Sequence, residues 1–343
     1  MSGELARAVA TLCAGEGLGA DRTAAAVGEI MSGEASPALI GAFLAGLRVK
    51  GETVEELVGA ARGMRAHAEK VTTYRRPLVD TCGTGGDGAR TFSVSTAAAL
   101  VAAAAGASVA KHGNRAASGK FGGADLLETL GVAIELGPVA VGRCLDEVGM
   151  AFLFARRLHP AMRHVAPIRA ELGVRTLFNS LGPLTNPAGA TRQVLGVSSP
   201  AALPLVAGAL AELGCEHALV VHGRDGSDEI SLSAPTDAIE VREGRLERLV
   251  LDAASFGLAA VPPDAARAES LDESAAIVRG ILAGRPGAPA EIVIANAGAA
   301  LHVGGIASSL PEGAERARAA ITSGAARGLL DRLVETSRRL AAE

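Results

Sequence analysis

From Pro77 onward the chain repeats one unit: a short apolar run, then a glycine or polar cluster, then a stretch with helical periodicity. The runs are PLVDTCG, ASVAKHG, HALVVHG and EIVIANAG. Strands alternating with helices predict a mostly parallel sheet, since parallel neighbours need a crossover between them. In such a sheet the loops at the carboxyl ends of the strands build the binding site. The function belongs with those loops.

Upstream, LARAVATLCAGEG, DRTAAAVGEIMSG, SPALIGAFLAGLRVKG and TVEELVGAARGMRAHAE place apolar residues three and four apart, several opening on Asp, Ser or Thr. This predicts a small helical bundle. The expected fold class is α/β: an all-helical N-terminal domain over residues 1–72, a larger α/β domain over 73–343, and a cleft between them. Residues 156–187 break the strand–helix rhythm with arginine-rich helical signals and prolines, and about 160–187 are expected to return to the bundle and complete it. The closing run AARGLLDRLVETSRRLAAE reads as a solvated helix.

Composition narrows the function. A net charge of −4, 2% aromatic residues and no Trp leave neither a broad basic footprint nor a base-stacking surface, so nucleic acid and anionic membrane are not expected partners. Cys13, Cys82, Cys144 and Cys215 are widely spaced, with no C-x-x-C pair, which fits reduced cytoplasmic thiols. Glu4, Arg7 and Glu16 interrupt the N-terminus, which reads as neither signal peptide nor anchor. The weakly polar stretch from Ala97 to Ala110 is too short to span a bilayer.

The loop GTGGDG after the first run satisfies G-x-G-x-x-G through Gly83, Gly85 and Gly88. A dinucleotide site also wants an acidic residue about 20 positions on to hold the ribose, yet no Asp or Glu lies between Gly88 and Ala124. A Walker A loop would need Gly-Lys-Ser/Thr, which is absent. There remains a loop whose amides, with the following helix N-terminus, suit phosphate, beside Asp87. The same acid-free window carries Arg90, Lys111, Arg115 and Lys120, and this imbalance predicts a small polyanionic ligand.

Two further patches add chemistry. In DGSDEIS, Ser227 and Thr236 stand where an EF-hand needs ligands, but Asp228 and Glu229 suffice for magnesium shared with substrate phosphates. In RRLHPAMRHVAPIRAELGVR, Arg156, Arg157, Arg163, Arg169 and Arg175 face one acid, Glu171, and a guanidinium fork such as that of Arg169 can hold a planar carboxylate.

Together GTGGDG, FSVSTAAA, KHGNR, HPAMRHVAPIRAELGVRTLFNSLGPLTNP and DEIS resemble the anthranilate phosphoribosyltransferases of tryptophan biosynthesis, in that family's order and over nearly the whole chain. The resemblance implies phosphoribosyl pyrophosphate on Gly83, Gly86, Asp87, Thr91, Ser93, Val94, Ser95, Thr96, Lys111, His112, Gly113, Asn114, Arg115, Ala116, Ala117, Ser118, Gly119 and Gly123. It implies anthranilate against Gly83, His112, Asn114, His159, Arg169 and Pro183, and Mg2+ on Ser95, Asp228 and Glu229. A cytoplasmic homodimer follows in the same way, and no side chain is assigned as general acid or base. The sequence departs from the family pattern at Ser93, where Asn is usual, at Gly119 and Gly123, where serines are expected, and at Ser227, usually apolar. Two alternatives stay open: a pyrimidine nucleoside phosphorylase-like enzyme, and a non-catalytic nucleic-acid-binding relative.

Overall fold

A computed structural model describes residues 3–86, 88, 91–116 and 121–343. The N-terminal segment forms α1 (Glu4–Cys13), α2 (Gly19–Ser32), α3 (Pro37–Lys50) and α4 (Val54–Ala66). Ser36 caps α3 by accepting from the Leu39 amide, and Pro37 follows in the first turn, where a missing N–H is harmless. Thr53 and Glu56 form a capping box at the start of α4. The Glu56 carboxylate is fully buried and accepts from the Thr53 amide at 3.0 Å, the Leu18 amide at 3.1 Å and Lys50 Nζ at 3.0 Å. A charge inside the bundle is thereby matched by three donors, the condition under which a buried carboxylate is tolerated.

The second unit is built on seven strands: β1 (Leu78–Gly83), β2 (Ser108–Gly113), β3 (Met150–Phe154), β4 (Arg192–Gly196), β5 (His217–Gly223), β6 (Thr236–Arg242) and β7 (Arg245–Leu251). Their order is β3-β2-β1-β4-β5-β6-β7; the first five run parallel and the last two pairings are antiparallel. The chain winds outward from β1 in both directions, so the strand order reverses there, and the crevice beyond the β1 carboxyl end is the expected ligand position. Successive residues of β5 serve opposite faces: Ala218 and Val220 join the core shared with the bundle, while Leu219 and Val221 face the core around α5 (Val94–Ala104).

Residues 160–187 fold against the bundle. The 3-10 turn Pro160–His164 lies on α2, the helix Ala166–Leu172 on α3 and the short helix Phe178–Leu181 on α4. Val165, Leu177, Phe178, Leu181 and Leu184 are buried in the same core as Ile30, Phe43 and Leu57.

The run EIVIANAG is not a strand. It lies within the helix Ala288–Val303, which follows Gly287 and carries Pro289 in its first turn. Twelve of its residues are buried, on every side, so it lacks the polar face by which an amphipathic helix is recognised. A short apolar run that is buried all round has the same pattern in a strand and in a helix. The closing helix, Ala325–Ala342, also differs from expectation: it buries Leu329, Leu330, Leu333 and Leu340 along one stripe and leaves only its other side to solvent. Among the described residues no helix is long and apolar enough to cross a membrane.

Candidate active site

The acidic pair and the glycine loop meet at the carboxyl ends of β1, β4 and β5. Asp228 Oδ2 accepts from the Gly85 amide at 3.1 Å, and Glu229 Oε1 accepts from the Ser95 amide at 3.2 Å. This approach depends on missing side chains: a Cβ on Gly83 would collide with the Asp228 carboxylate, and one on Gly196 with the Asp228 backbone. Val94 opens α5 and is buried. Ser93, just before it, sits at φ 62°, ψ 57°, a left-handed conformation that an L-residue rarely adopts without a surrounding structure that enforces it. That turn aims the first free amides of α5 toward Glu229.

Lys111 lies at the centre, 3% exposed, near the end of β2. Its ammonium donates to the Thr81 carbonyl and, at 3.3 Å, to Ser95 Oγ. Burial lowers its pKa, and the carboxylates of Asp80, Glu229 and Asp228 oppose that shift. Asp80, one strand over and fully buried, accepts from the His112 amide at 3.0 Å and from Asn186 Nδ2 at 2.9 Å. Desolvation pushes the Asp80 carboxyl up to about 6 against the pull of Lys111 and these donors. Asp80 and Asn186 thus hold the start of the KHGNR segment, and neither stands out in the sequence. Asn186 also bonds the Ala110 carbonyl at 2.8 Å.

His112 and His159 face each other with ring centroids 5.1 Å apart. Burial, first of all, pushes His112 down to about 3 and His159 to about 4, so both are neutral imidazoles near pH 7. His112 Nδ1 lies 3.0 Å from the Gly182 carbonyl, which can only accept; the proton is therefore on Nδ1, and Nε2 presents a buried lone pair that no described residue engages. Both His159 nitrogens are likewise buried without a partner in hydrogen-bond geometry, although the nearby Thr185 backbone partly opposes the lowered pKa. Pro183 is buried in the adjoining 3-10 turn, its carbonyl accepting from Gln193 Nε2 at 2.8 Å.

Arg169 is half-buried, 5.7 Å from the Phe178 ring centre, and has no carboxylate partner among the described residues. Burial and then the neighbouring Arg175 lower its pKa. Arg175 itself donates to the Gly85 carbonyl at 2.9 Å, and its guanidinium fills the space beside Gly86. The 156–187 segment therefore touches the glycine loop directly, through an arginine that the sequence reading did not single out.

The picture of unopposed cations needs one correction. Arg115 pairs with Asp125 at 2.8 Å and with Glu128 at 2.7 Å, because the helix Gly123–Thr129 brings both acids to one side, just past the acid-free window. Asn114 Oδ1 accepts from the Arg115 amide at 2.8 Å, and Asp125 also receives the Gly122 amide at 2.8 Å and, at 3.5 Å, that of Ala116. Gly113 closes β2 against Phe152, and Gly123 packs against Thr96 Oγ1, a buried hydroxyl that no described residue engages. Thr91 bridges to Arg267 and lines a cavity of about 470 Å³ with Gly88, Val94, Asp225, Glu229 and Ser231. That cavity adjoins Glu229 but includes neither Lys111 nor Arg169. Asp87, Arg90, Ala117, Ser118, Gly119 and Lys120 lie outside the described residues.

Asn296 is a further residue missed by sequence reading. Inside the helix misread as a strand, its side chain accepts from the Ile230 amide at 3.1 Å and donates to the Ile230 carbonyl at 3.0 Å. It anchors the residue immediately after the acidic pair.

This architecture, a bundle beside a mostly parallel sheet, has known counterparts. The profile of the glycosyl transferase family, a/b domain, matches residues 75–327, and that of the glycosyl transferase family, helical bundle domain, matches residues 6–68. An anthranilate phosphoribosyltransferase from Rubrobacter xylanophilus is 51% identical over 98% of each chain. The crystal structure of the Thermus thermophilus anthranilate phosphoribosyltransferase superposes with a TM-score of 0.92 at 47% identity, over 96% of this chain and 99% of that one. The Saccharomyces cerevisiae enzyme in complex with phosphoribosyl pyrophosphate and Mg gives a TM-score of 0.89 at 27% identity over 98% of each chain, and the same enzyme is known with 4-fluoroanthranilate. The chain belongs to the anthranilate phosphoribosyltransferase family.

Proposed function

We propose that this chain, as a step of tryptophan biosynthesis, transfers the 5-phosphoribosyl group from phosphoribosyl pyrophosphate to the amine of anthranilate, giving N-(5-phosphoribosyl)anthranilate and pyrophosphate. The observation that carries this reading is the convergence of Asp228 and Glu229 on the amides of Gly85 and Ser95, next to the buried ammonium of Lys111. Two carboxylates and the Ser95 hydroxyl form an all-oxygen donor set, which suits Mg2+ shared with a diphosphate. When bound, Mg2+ would supply positive charge to the leaving group.

The remaining work falls to the chain's own groups. Amides of the glycine loop and the α5 N-terminus bind the diphosphate, and Lys111 adds a positive charge at low dielectric, where it counts most. Arg169 grips the anthranilate carboxylate by two parallel hydrogen bonds. The amine nitrogen bonds to C1 of the ribose while the C1–O bond breaks, its electron pair leaving with pyrophosphate. One N–H proton is then lost. His112 Nε2, whose lone pair no described residue engages, takes up that proton; the nitrogen becomes cationic as it bonds C1, so a weak acceptor suffices. Contact between the 156–187 segment and the glycine loop keeps water from the sugar cation.

We place the protein in the cytoplasm as a homodimer associating through the bundle, where α3 leaves Val49 exposed; sedimentation at micromolar concentration checks the assembly. The central test follows loss of anthranilate fluorescence with phosphoribosyl pyrophosphate and Mg2+. Turnover is expected, together with its loss in the D228N/E229Q double variant. Phosphate-dependent cleavage of thymidine or uridine without turnover of anthranilate would overturn the reading in favour of a nucleoside phosphorylase.

A further inference from the structure

At the other end of β5 from Asp228 and Glu229, three side chains from three elements converge. His217 opens β5, Glu240 lies on β6, and His302 ends the helix Ala288–Val303. His217 Nε2 is 2.6 Å from Glu240 Oε1, His302 Nε2 is 3.9 Å from the same oxygen, and one ligand atom from each residue falls within 4.8 Å of the others. The two imidazoles meet edge to face with centroids 5.2 Å apart. The geometry points to a binding site for a zinc-like divalent cation, held by His217, Glu240 and His302 with water completing the shell.

Two features favour a metal over a simple ion pair. First, bonds of about 2.0–2.1 Å in a tetrahedral site set ligand atoms roughly 3.3 Å apart, and the two observed separations, 2.6 and 3.9 Å, fall on either side of that spacing. Second, His302 Nδ1 faces the Ala307 carbonyl at 3.3 Å. Its proton is therefore on Nδ1 and the Nε2 lone pair points at Glu240, the arrangement by which an outer carbonyl orients a metal-binding histidine. A neutral imidazole is the ligating form. On binding, His217 would carry its ring proton on Nδ1.

Two imidazoles and one carboxylate select zinc and its neighbours over magnesium. Arg242 also lies beside His217 in the β5–β6 register, and Arg192 is committed to Glu216 at 3.1 Å and to the Val303 carbonyl at 3.4 Å. His302 and Glu240 are only half-buried, which leaves an entry path. The site would clamp the β5–β6 edge to the end of the helix that carries Asn296, roughly 20 Å from the catalytic crevice, the length of a seven-residue strand.

The test titrates Zn2+ into the chelator-stripped full chain by calorimetry, with millimolar Mg2+ present to occupy the catalytic carboxylates. One zinc per chain is expected. E240Q and H302Q, on separate elements, should each weaken binding at least about 100-fold, since even outer-shell changes cost about 10–100-fold. Co2+ should give the strong visible absorption of a four-coordinate site, lost in both variants. No zinc uptake, uptake that survives both variants, or uptake lost only in D228N/E229Q would overturn the assignment.

Discussion

Asn296 offers the sharpest test of how the acidic pair is held. Its amide satisfies both backbone groups of Ile230 and also donates to the Ile292 carbonyl at 2.9 Å within its own helix. Ile230 is fully buried, so in N296A its N–H and C=O lose their partners where water cannot replace them. Each orphaned group costs about 1–3 kcal/mol, giving roughly 2–6 kcal/mol if the loop stays in place. The total stability of a domain is about 5–15 kcal/mol, so the protein should remain folded. If the loop instead moves to hydrate Ile230, the stability loss shrinks and Asp228 and Glu229 shift with it. The two outcomes are separable by urea unfolding combined with the Mg2+ dependence of turnover. In either case one quantity must change: the midpoint denaturant falls, or half-saturating Mg2+ rises about tenfold or more while the anthranilate constant changes little. A folded N296A protein with unaltered stability and unaltered Mg2+ dependence would refute the anchoring role.

Three further outcomes are expected. R169A should raise the apparent constant for anthranilate by about 10-fold to 200-fold, the range for losing a charge-assisted bond of about 1.5–3 kcal/mol, while that for phosphoribosyl pyrophosphate stays nearly fixed; equal effects on both would remove Arg169 from the acceptor site. The Asp80 carboxyl titrates near 6 in the folded chain, above its ordinary value of 3.8, so the native state holds the proton more tightly and stability falls as pH rises from about 4 to about 6. Relative to D80N, the wild type should lose about 2 kcal/mol between pH 4 and pH 7, measured by urea unfolding at those two pH values; parallel pH profiles would contradict the shift. S93N should gain about 0.5–1 kcal/mol, because Asn tolerates the left-handed conformation at φ 62° better than Ser does; an unchanged or lower urea midpoint would count against backbone strain there.

What sequence could and could not disclose follows from the range over which each signal acts. The four bundle helices were legible because amphipathic periodicity and caps such as Thr53–Glu56 are local. β1, β2 and β5 were legible for a similar reason, each being an apolar run ending at a glycine. The strands β3, β6 and β7 do not end at a glycine, and β4 reaches Gly196 after only two apolar residues. In EIVIANAG the signal misled: the surroundings bury every side of the helix, and that burial is a tertiary fact.

The site divides along the same line. The residues proposed to meet a ligand stood out by type: glycines in a loop, a lysine and histidine at the end of a strand, adjacent acids. Residues that hold them did not, because an Asp within PLVDTCG or an Asn within EIVIANAG looks like an interruption until its partner 32 or 66 positions away is known. Arg115 makes the same point in reverse. Counted along the chain it is a free cation, but one helical turn brings Asp125 and Glu128 onto it, and its charge serves to order the KHGNR segment. The positive field that remains for a diphosphate among the described residues therefore rests chiefly on Lys111, the α5 amides and the two arginines across the crevice. Lys111 is buried among acids, so its charge depends on Asp80, Asp228 and Glu229 staying ionised. The group that binds the anion and the groups that would bind its metal are thus electrostatically interdependent, and changing either should alter the affinity of the other.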